Sequence, residues 1–264
     1  MIATPLCIAI VQQPMAWTTP ENLVHIVTAL ALAAEQGAGI AVFPELALTG
    51  FHRGIRAEAV PATVDAALQQ VRAACRAHGI ACALGAPTFA ADGAILNSYL
   101  HIDTAGEVIS SVSKNGLTPA ELTFFAAGNG RPVMRFEGRT CTTVMCREID
   151  DLESVAVQLQ SDPVDLVFWP SMVGNPPGTI HSTPEQTADL GYFKRTAVLA
   201  RRLGAFVVQS NWPQALNTPE STYLGESKVY ARDGEILLTL PRDQPGVGVF
   251  TLGERDFRWT PLVV

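Results

Sequence analysis

Three side chains in this sequence could do chemistry together if the fold brought them close: the carboxylate of Glu45, the amine of Lys114 and the thiol of Cys146. Sulfur attacks as the thiolate, and a free cysteine with a pKa of about 8.5 is ionised to only a few per cent at neutral pH. A carboxylate within hydrogen-bond reach can take the proton as the thiol attacks an electrophilic carbon. An ammonium already in place can then stabilise the negative charge that develops. Taken singly, each residue has a plainer reading: a solvated loop carboxylate, a charge guarding a strand edge and a buried core thiol.

All three fall where an apolar run ends. Ile40 to Phe43 reads as a short buried strand that runs directly into Pro44-Glu45. Asn97 to Ile102 and Val108 to Val112, around Asp103-Thr104-Ala105-Gly106, read as a hairpin closed by Ser113-Lys114. Pro132 to Phe136 and Thr140 to Met145 form another strand pair around Glu137-Gly138, which places Cys146 at a strand's last position. In layered α/β sheets, ligands collect in the crevice beyond strand ends, so residues remote in sequence can meet there.

The rest of the chain supplies a scaffold for such a crevice. Ile8 to Val11 reads as a first strand. Thr19-Pro20-Glu21 gives a helix cap with proline at the first helical position, and Leu23, Val27, Leu30, Ala31 and Ala34 follow at helical spacing until Gly37 and Gly39. A second amphipathic helix carries Val64, Leu68, Val71 and Cys75 and closes at Gly79, before a strand from Ile80 to Leu84. Leu152 to Leu159 reads as a helix and Val164 to Trp169 as a strand. A loop from Pro170 to Ser182 then leads to a capping box at Thr183-Pro184-Glu185-Gln186 and a helix to about Leu203. Ala205 to Gln209 is a strand ending at Ser210-Asn211-Trp212, and Lys228 to Ala231 with Glu235 to Leu240 form a last hairpin. The pattern is mixed α/β, and with no linker or repeat the economical reading is one domain over residues 1–264.

Composition narrows the classes. Of the 264 residues, 48% are hydrophobic and 16% charged, which describes a compact chain with a sizeable core. The net charge of −7 argues against a nucleic-acid or anionic membrane surface. No apolar run is long enough for a signal peptide or a membrane span, which points to the cytoplasm. The five cysteines lack C-x-x-C spacing and read as free thiols, and the five histidines are too scattered for a metal site. Neither metal nor cofactor is implied.

The words around the three residues resemble the carbon–nitrogen hydrolase family, the nitrilase superfamily, which carries Glu, Lys and Cys in this order. Phe43-Pro44-Glu45-Leu46-Ala47-Leu48-Thr49-Gly50-Phe51 resembles its glutamate motif. Lys114 with Leu117, Pro119, Glu121, Phe125 and Gly128 resembles the lysine motif, and the run into Cys146 with Glu153 the cysteine motif. Gly225-Glu226-Ser227 and Asp233-Gly234-Glu235 resemble a late signature. The resemblance implies a four-layer α-β-β-α sandwich with mixed sheets, working as a homodimer or higher homo-oligomer. It implies a thiol hydrolase of small amides, acting through a Cys146 thioester with Glu45 as base and Lys114 and the Arg147 N–H as donors. Nitrile or N-carbamoyl hydrolysis, or a catalytically silent binding protein, are the alternatives.

Under the same resemblance Glu121 is a second glutamate positioning Lys114 or the substrate. Thr118-Pro119-Ala120-Glu121 also reads as a capping box, and the two roles are compatible. Arg147, Phe125, Asn211, Trp212, Trp169, His52 and Met172 are candidates for lining the substrate pocket. The chain departs from the family after the cysteine. Arg147, Glu148 and Asp150 stand where many members have an aromatic residue, Asp and Arg, which weakens a carboxylate-specific reading.

Overall fold

The computed structural model describes residues 5–159, 163–174 and 191–262. Its helices are α1 (Thr19–Glu35), the single turn α2 (Ile55–Glu58), α3 (Pro61–His78), α4 (Leu152–Gln158) and α5 (Gly191–Leu203). Alternation along the first strand, β1 (Cys7–Gln12), sets the layers. Ala9 and Val11 join an apolar cluster with Ile26 and Leu30 of α1 and Val64 and Val71 of α3, while Ile8 and Ile10 join Phe136, Phe168 and Val208 in a second one. Successive residues of a strand point to opposite faces, so β1 is covered by helices on one side and by another sheet on the other.

The first sheet continues with β2 (Ile40–Val42), β3 (Ala81–Phe89), β4 (Ile95–Ile102) and β5 (Val108–Ser113). The second is built from β6 (Met134–Phe136), β7 (Arg139–Thr143), β8 (Leu166–Ser171), β9 (Phe206–Asn211), β10 (Lys228–Tyr230) and β11 (Ile236–Thr239). Two late strands, β12 (Gly246–Thr251) and β13 (Phe257–Pro261), return to the first sheet beside β1. The orders are β13-β12-β1-β2-β3-β4-β5 and β11-β10-β9-β8-β7-β6. In each, three central strands run parallel, β1-β2-β3 and β7-β8-β9, and the flanking pairs are antiparallel. A third cluster, with Val155 of α4 and Leu199 of α5, covers the outer face of the second sheet. The layers are therefore helix, sheet, sheet, helix, with both sheets mixed.

Several expectations shift by a residue or more. The α1 cap is Thr18, whose hydroxyl accepts the Glu21 N–H, so the helix begins one residue earlier than Thr19-Pro20-Glu21 suggests. Gly79, at φ +62°, closes α3 as expected for a left-handed cap. The strand into Cys146 ends its ladder at Thr143, and Cys146 instead opens a 3-10 turn, Cys146–Asp150. The loop from Pro170 shortens, because Pro170 and Ser171 belong to β8. The capping box at Thr183 and residues 175–182 of that loop lie outside the described residues. No helix among the described residues is long and apolar enough to cross a membrane.

Candidate active site

The Glu45 carboxylate is carried by a turn strapped along β3. Phe43 N–H donates to Ala83 O at 2.9 Å and Leu48 N–H to Gly85 O at 3.0 Å, and Leu46 takes a left-handed backbone at φ +54°. The turn lies so close to β3 that a Cβ on Gly85 would sit 2.2 Å from Leu46 N. Only glycine permits that approach. From the far side the Trp212 indole N–H donates to Glu45 O at 2.8 Å.

Lys114 follows β5, its N–H held by Asn97 O and its carbonyl by Gly128 N–H, each at 2.8 Å. Its Nζ donates to Glu45 Oε1 at 2.7 Å and to Glu121 Oε1 at 2.6 Å, and all three side chains are buried. Asn97 Nδ2 donates to the same Glu45 Oε1 at 2.8 Å. Glu121 also closes the capping box, its Oε2 accepting the Thr118 N–H at 2.8 Å while its own N–H donates to Thr118 Oγ1 at 3.2 Å. One carboxylate thus starts a turn and grips the ammonium.

Cys146 comes from the second sheet, three residues past β7, with φ +44°. A non-glycine residue in that region is held there by its surroundings. Trp169 Nε1–H donates to Cys146 O at 3.0 Å, and the thiol faces Met172 O at 4.0 Å. Sheet one therefore contributes the acid and the ammonium, and sheet two the sulfur.

These groups set one another's protonation. Burial pushes the Cys146 thiol up to about 12, the Glu45 charge adds to this, and Lys114 opposes it. Burial also raises the Glu45 carboxyl, with the Lys114 ammonium pulling the other way. For Lys114, burial alone would favour the neutral amine, but Glu45, Cys146 when ionised, and Glu121 outweigh it and raise its pKa. The resting site is thus a protonated thiol beside a permanent ammonium. Glu45 Oε2 is buried with no hydrogen-bond partner, leaving one carboxylate oxygen to accept a proton.

Cys146, Lys114 and Glu121 open onto a cavity of about 640 Å³ whose walls include Phe51, Ile55, Phe124, Phe125, Met172 and Tyr192. Arg147 and His52 also line it. Arg147 Nη1 lies 3.5 Å from Asp151 Oδ2, and both His52 nitrogens are engaged within their own loop, Nε2 with Thr49 O and Nδ1 with the Gly54 N–H. The other three residues expected at the pocket lie behind it. Trp169 and Trp212 are fully buried and spend their N–H groups on the carbonyls of Cys146 and Glu45. Asn211 is consumed by Val173, Ser171 and Gly225. The two tryptophans hold the backbone of Cys146 and Glu45, and none of the three lines the cavity.

Sequence reading missed Asn97 and Gly85. The signal for Asn97 was an amide inside a strand, while that for Gly85 is visible only once the turn is packed on it. Among the described residues, no group of three or more His, Cys, Asp or Glu is placed to hold a metal ion.

Comparison with known proteins agrees with the fold. No curated protein sequence matches the chain at a significant level. Among solved structures, an amidase from Nesterenkonia sp. superposes with a TM-score of 0.79 at 25% identity, covering 95% of this chain and 91% of its own. A cysteine-to-alanine variant of the Nesterenkonia sp. AN1 amidase, in complex with butyramide, gives 0.78 at 25% identity over 94% and 90%. A glutamate-to-glutamine variant of that amidase, with the acetamide moiety of fluoroacetamide added covalently at its active-site cysteine, gives 0.77 at 26% identity over 94% and 90%. The family profile described as carbon-nitrogen hydrolase matches residues 7–255. The chain therefore belongs to the carbon–nitrogen hydrolase family.

Proposed function

We propose that this hydrolase is an amidase that cleaves small carboxamides through a thioester on Cys146. The observation that carries the reading is the buried Lys114 ammonium, bonded at 2.7 and 2.6 Å to two glutamates beside a thiol that opens onto a cavity. The thiol is neutral at rest, so it attacks only as its proton leaves. Glu45 takes that proton through its unpartnered Oε2, and its raised pKa makes it a stronger base than an exposed carboxylate. Sulfur bonds to the carbonyl carbon, and the oxygen takes the negative charge. The Lys114 ammonium and the Arg147 N–H stabilise that oxygen.

Glu45 then returns its proton to the amide nitrogen, and ammonia or an amine leaves as the thioester forms. Water, deprotonated by the same carboxylate, adds to the thioester. Collapse releases the carboxylic acid and restores the thiol. While Glu45 holds the thiol proton, Glu121 still pairs with Lys114 at 2.6 Å, so the ammonium keeps an ion-pair partner through the step. Amides are favoured over nitriles because the similar solved structures are amidases, one of them holding butyramide. The aromatic and aliphatic residues of the walls suit an apolar acyl group, and Arg53, Arg56 and Arg147 give the rest of the lining polar, cationic character.

Ammonia release from a panel of aliphatic and aryl amides and nitriles tests the reading. Amides are expected to turn over, Cys146→Ala to abolish turnover with the fold retained, and mass spectrometry to catch an acyl adduct on Cys146. Turnover that survives in Cys146→Ala would refute it. The homodimer implied by the resemblance is tested by analytical ultracentrifugation, where a monomeric mass would count against it.

A further inference from the structure

Two residues beyond the nucleophile, Glu148 is 1% exposed and bonded at every acceptor position of its carboxylate. Its Oε1 accepts the N–H groups of Asn115 at 2.6 Å and Gly116 at 3.0 Å, the residues that directly follow Lys114. Its Oε2 accepts the N–H of Met145 at 2.7 Å, the residue directly before Cys146, and Arg131 Nη1 at 3.0 Å. Arg131 is itself buried; it donates to Thr143 O, the end of β7, and through Nε to Gln158 Oε1 of α4 at 3.2 Å. The Asn115 loop is pressed onto this carboxylate so tightly that a Cβ on Gly116 would lie 3.1 Å from Glu148 Cγ and 3.0 Å from Asp151 Oδ2.

A buried ion pair of this kind adds little to stability over well-packed apolar residues, because desolvation offsets the attraction. Its best-attested use is to fix register between parts. Here the parts are the loop after Lys114, from the first sheet, and the turn into Cys146, from the second. We propose that Glu148 and Arg131 are positioning residues, a clip that sets the distance between the Lys114 ammonium and the Cys146 thiol. The proposal rests on the amidase reading, in which those two groups act on one carbonyl. Burial would raise the Glu148 carboxyl, but Arg131 and the donated backbone bonds win and hold it low, so the clip stays charged.

The test uses the full chain as wild type, Glu148→Gln, Gly116→Ala and the control Val71→Ala. The first change removes the charge with the shape kept; the second leaves the charge and sets a methyl against Glu148 Cγ, so that loop and carboxylate must part by a few tenths of an ångström. The control opens the core under α3, at a position buried against the helix layer, and costs stability only. Ammonia release from butyramide and the rate of Cys146 alkylation by iodoacetamide are measured against pH, alongside thermal unfolding.

Both clip variants are expected to lose kcat by about 10²-fold with KM within about twofold. Their acid limb of kcat/KM is expected at higher pH, because a displaced ammonium no longer opposes protonation of Glu45. The control should keep the wild-type kcat and pH profile. Wild-type kcat and acid limb in either folded clip variant, or equal changes in Val71→Ala, would overturn the proposal. Should the wild type release no ammonia from any amide, the amidase reading fails and alkylation decides. Slower labelling of Cys146, displaced to higher pH in the clip variants, supports the clip, and an unchanged rate removes it.

Discussion

At the scale of single residues the site solves one problem: attacking with a thiol that burial keeps protonated. In the proposed mechanism the remedy is a base whose free oxygen is already desolvated, which ties Glu45 to bond making and bond breaking alike. Alkylation separates these duties, since displacing a halide needs neither protonation of a leaving amine nor an activated water. Glu45→Gln should lower amide turnover by about 10²–10⁴-fold while Cys146 still takes up fluoroacetamide, read by intact mass. Loss of alkylation in step with turnover would mean that Glu45 is already required to take the thiol proton. The same scale shows the limits of reading a sequence. Val144 and Met145 are fully buried and Val144 N–H still bonds Phe168 O, so the run looks like strand up to Cys146. Apolar character reports burial, not ladder pairing, and the φ of +44° that turns the thiol out of line leaves no trace in residue type.

At the scale of elements, close approach governs where the side chains stand. Gly85 in β3 admits the Glu45 turn, and Gly85→Ala would force apart backbone atoms that leave no room for a methyl. We expect the variant to lose about 1–3 kcal/mol in urea unfolding, together with most of its turnover as Glu45 leaves Lys114. Full activity in a folded Gly85→Ala would show that the turn can settle elsewhere. Glycine also hid a strand. Gly246 and Gly248 of β12 lower the strand signal of their stretch, yet the fold needs them, since a Cβ would lie 2.3 Å from Trp259 Cζ2 at the first and 2.5 Å from Leu240 Cδ2 at the second. The helices and hairpins with clean periodicity were legible, as were Glu45, Lys114 and Cys146 from their motifs. The bonds of Glu148 and the supporting roles of the tryptophans were not, because most of their partners are backbone atoms, and those have no letter.

At the scale of the whole molecule, the interior between the sheets carries a buried histidine. His101 lies 5.4 Å from the ring of Phe136 and 5.6 Å from that of Phe168, with Nε2 3.1 Å from Thr143 Oγ1. Burial lowers its pKa to about 3. Above about pH 6.5 it is neutral in both folded and unfolded chains, so its contribution is intact. As pH falls below that, the unfolded chain gains a proton that the fold refuses, and stability drops by up to about 1.4 kcal/mol per pH unit until about pH 3. His101→Gln should flatten the fall in unfolding free energy between about pH 7 and pH 5. An unaltered slope would place the acid sensitivity elsewhere.

The division of the reacting groups between the two sheets reaches further than their chemistry. Sliding one sheet over the other by a fraction of a residue would part the sulfur from the acid while every strand kept its neighbours. Turnover is then a finer gauge of how the layers are seated than any spectrum of secondary structure. Low concentrations of denaturant should silence the enzyme while its circular dichroism is still native, and a tightly held amide, gripping both halves at once, should delay that loss.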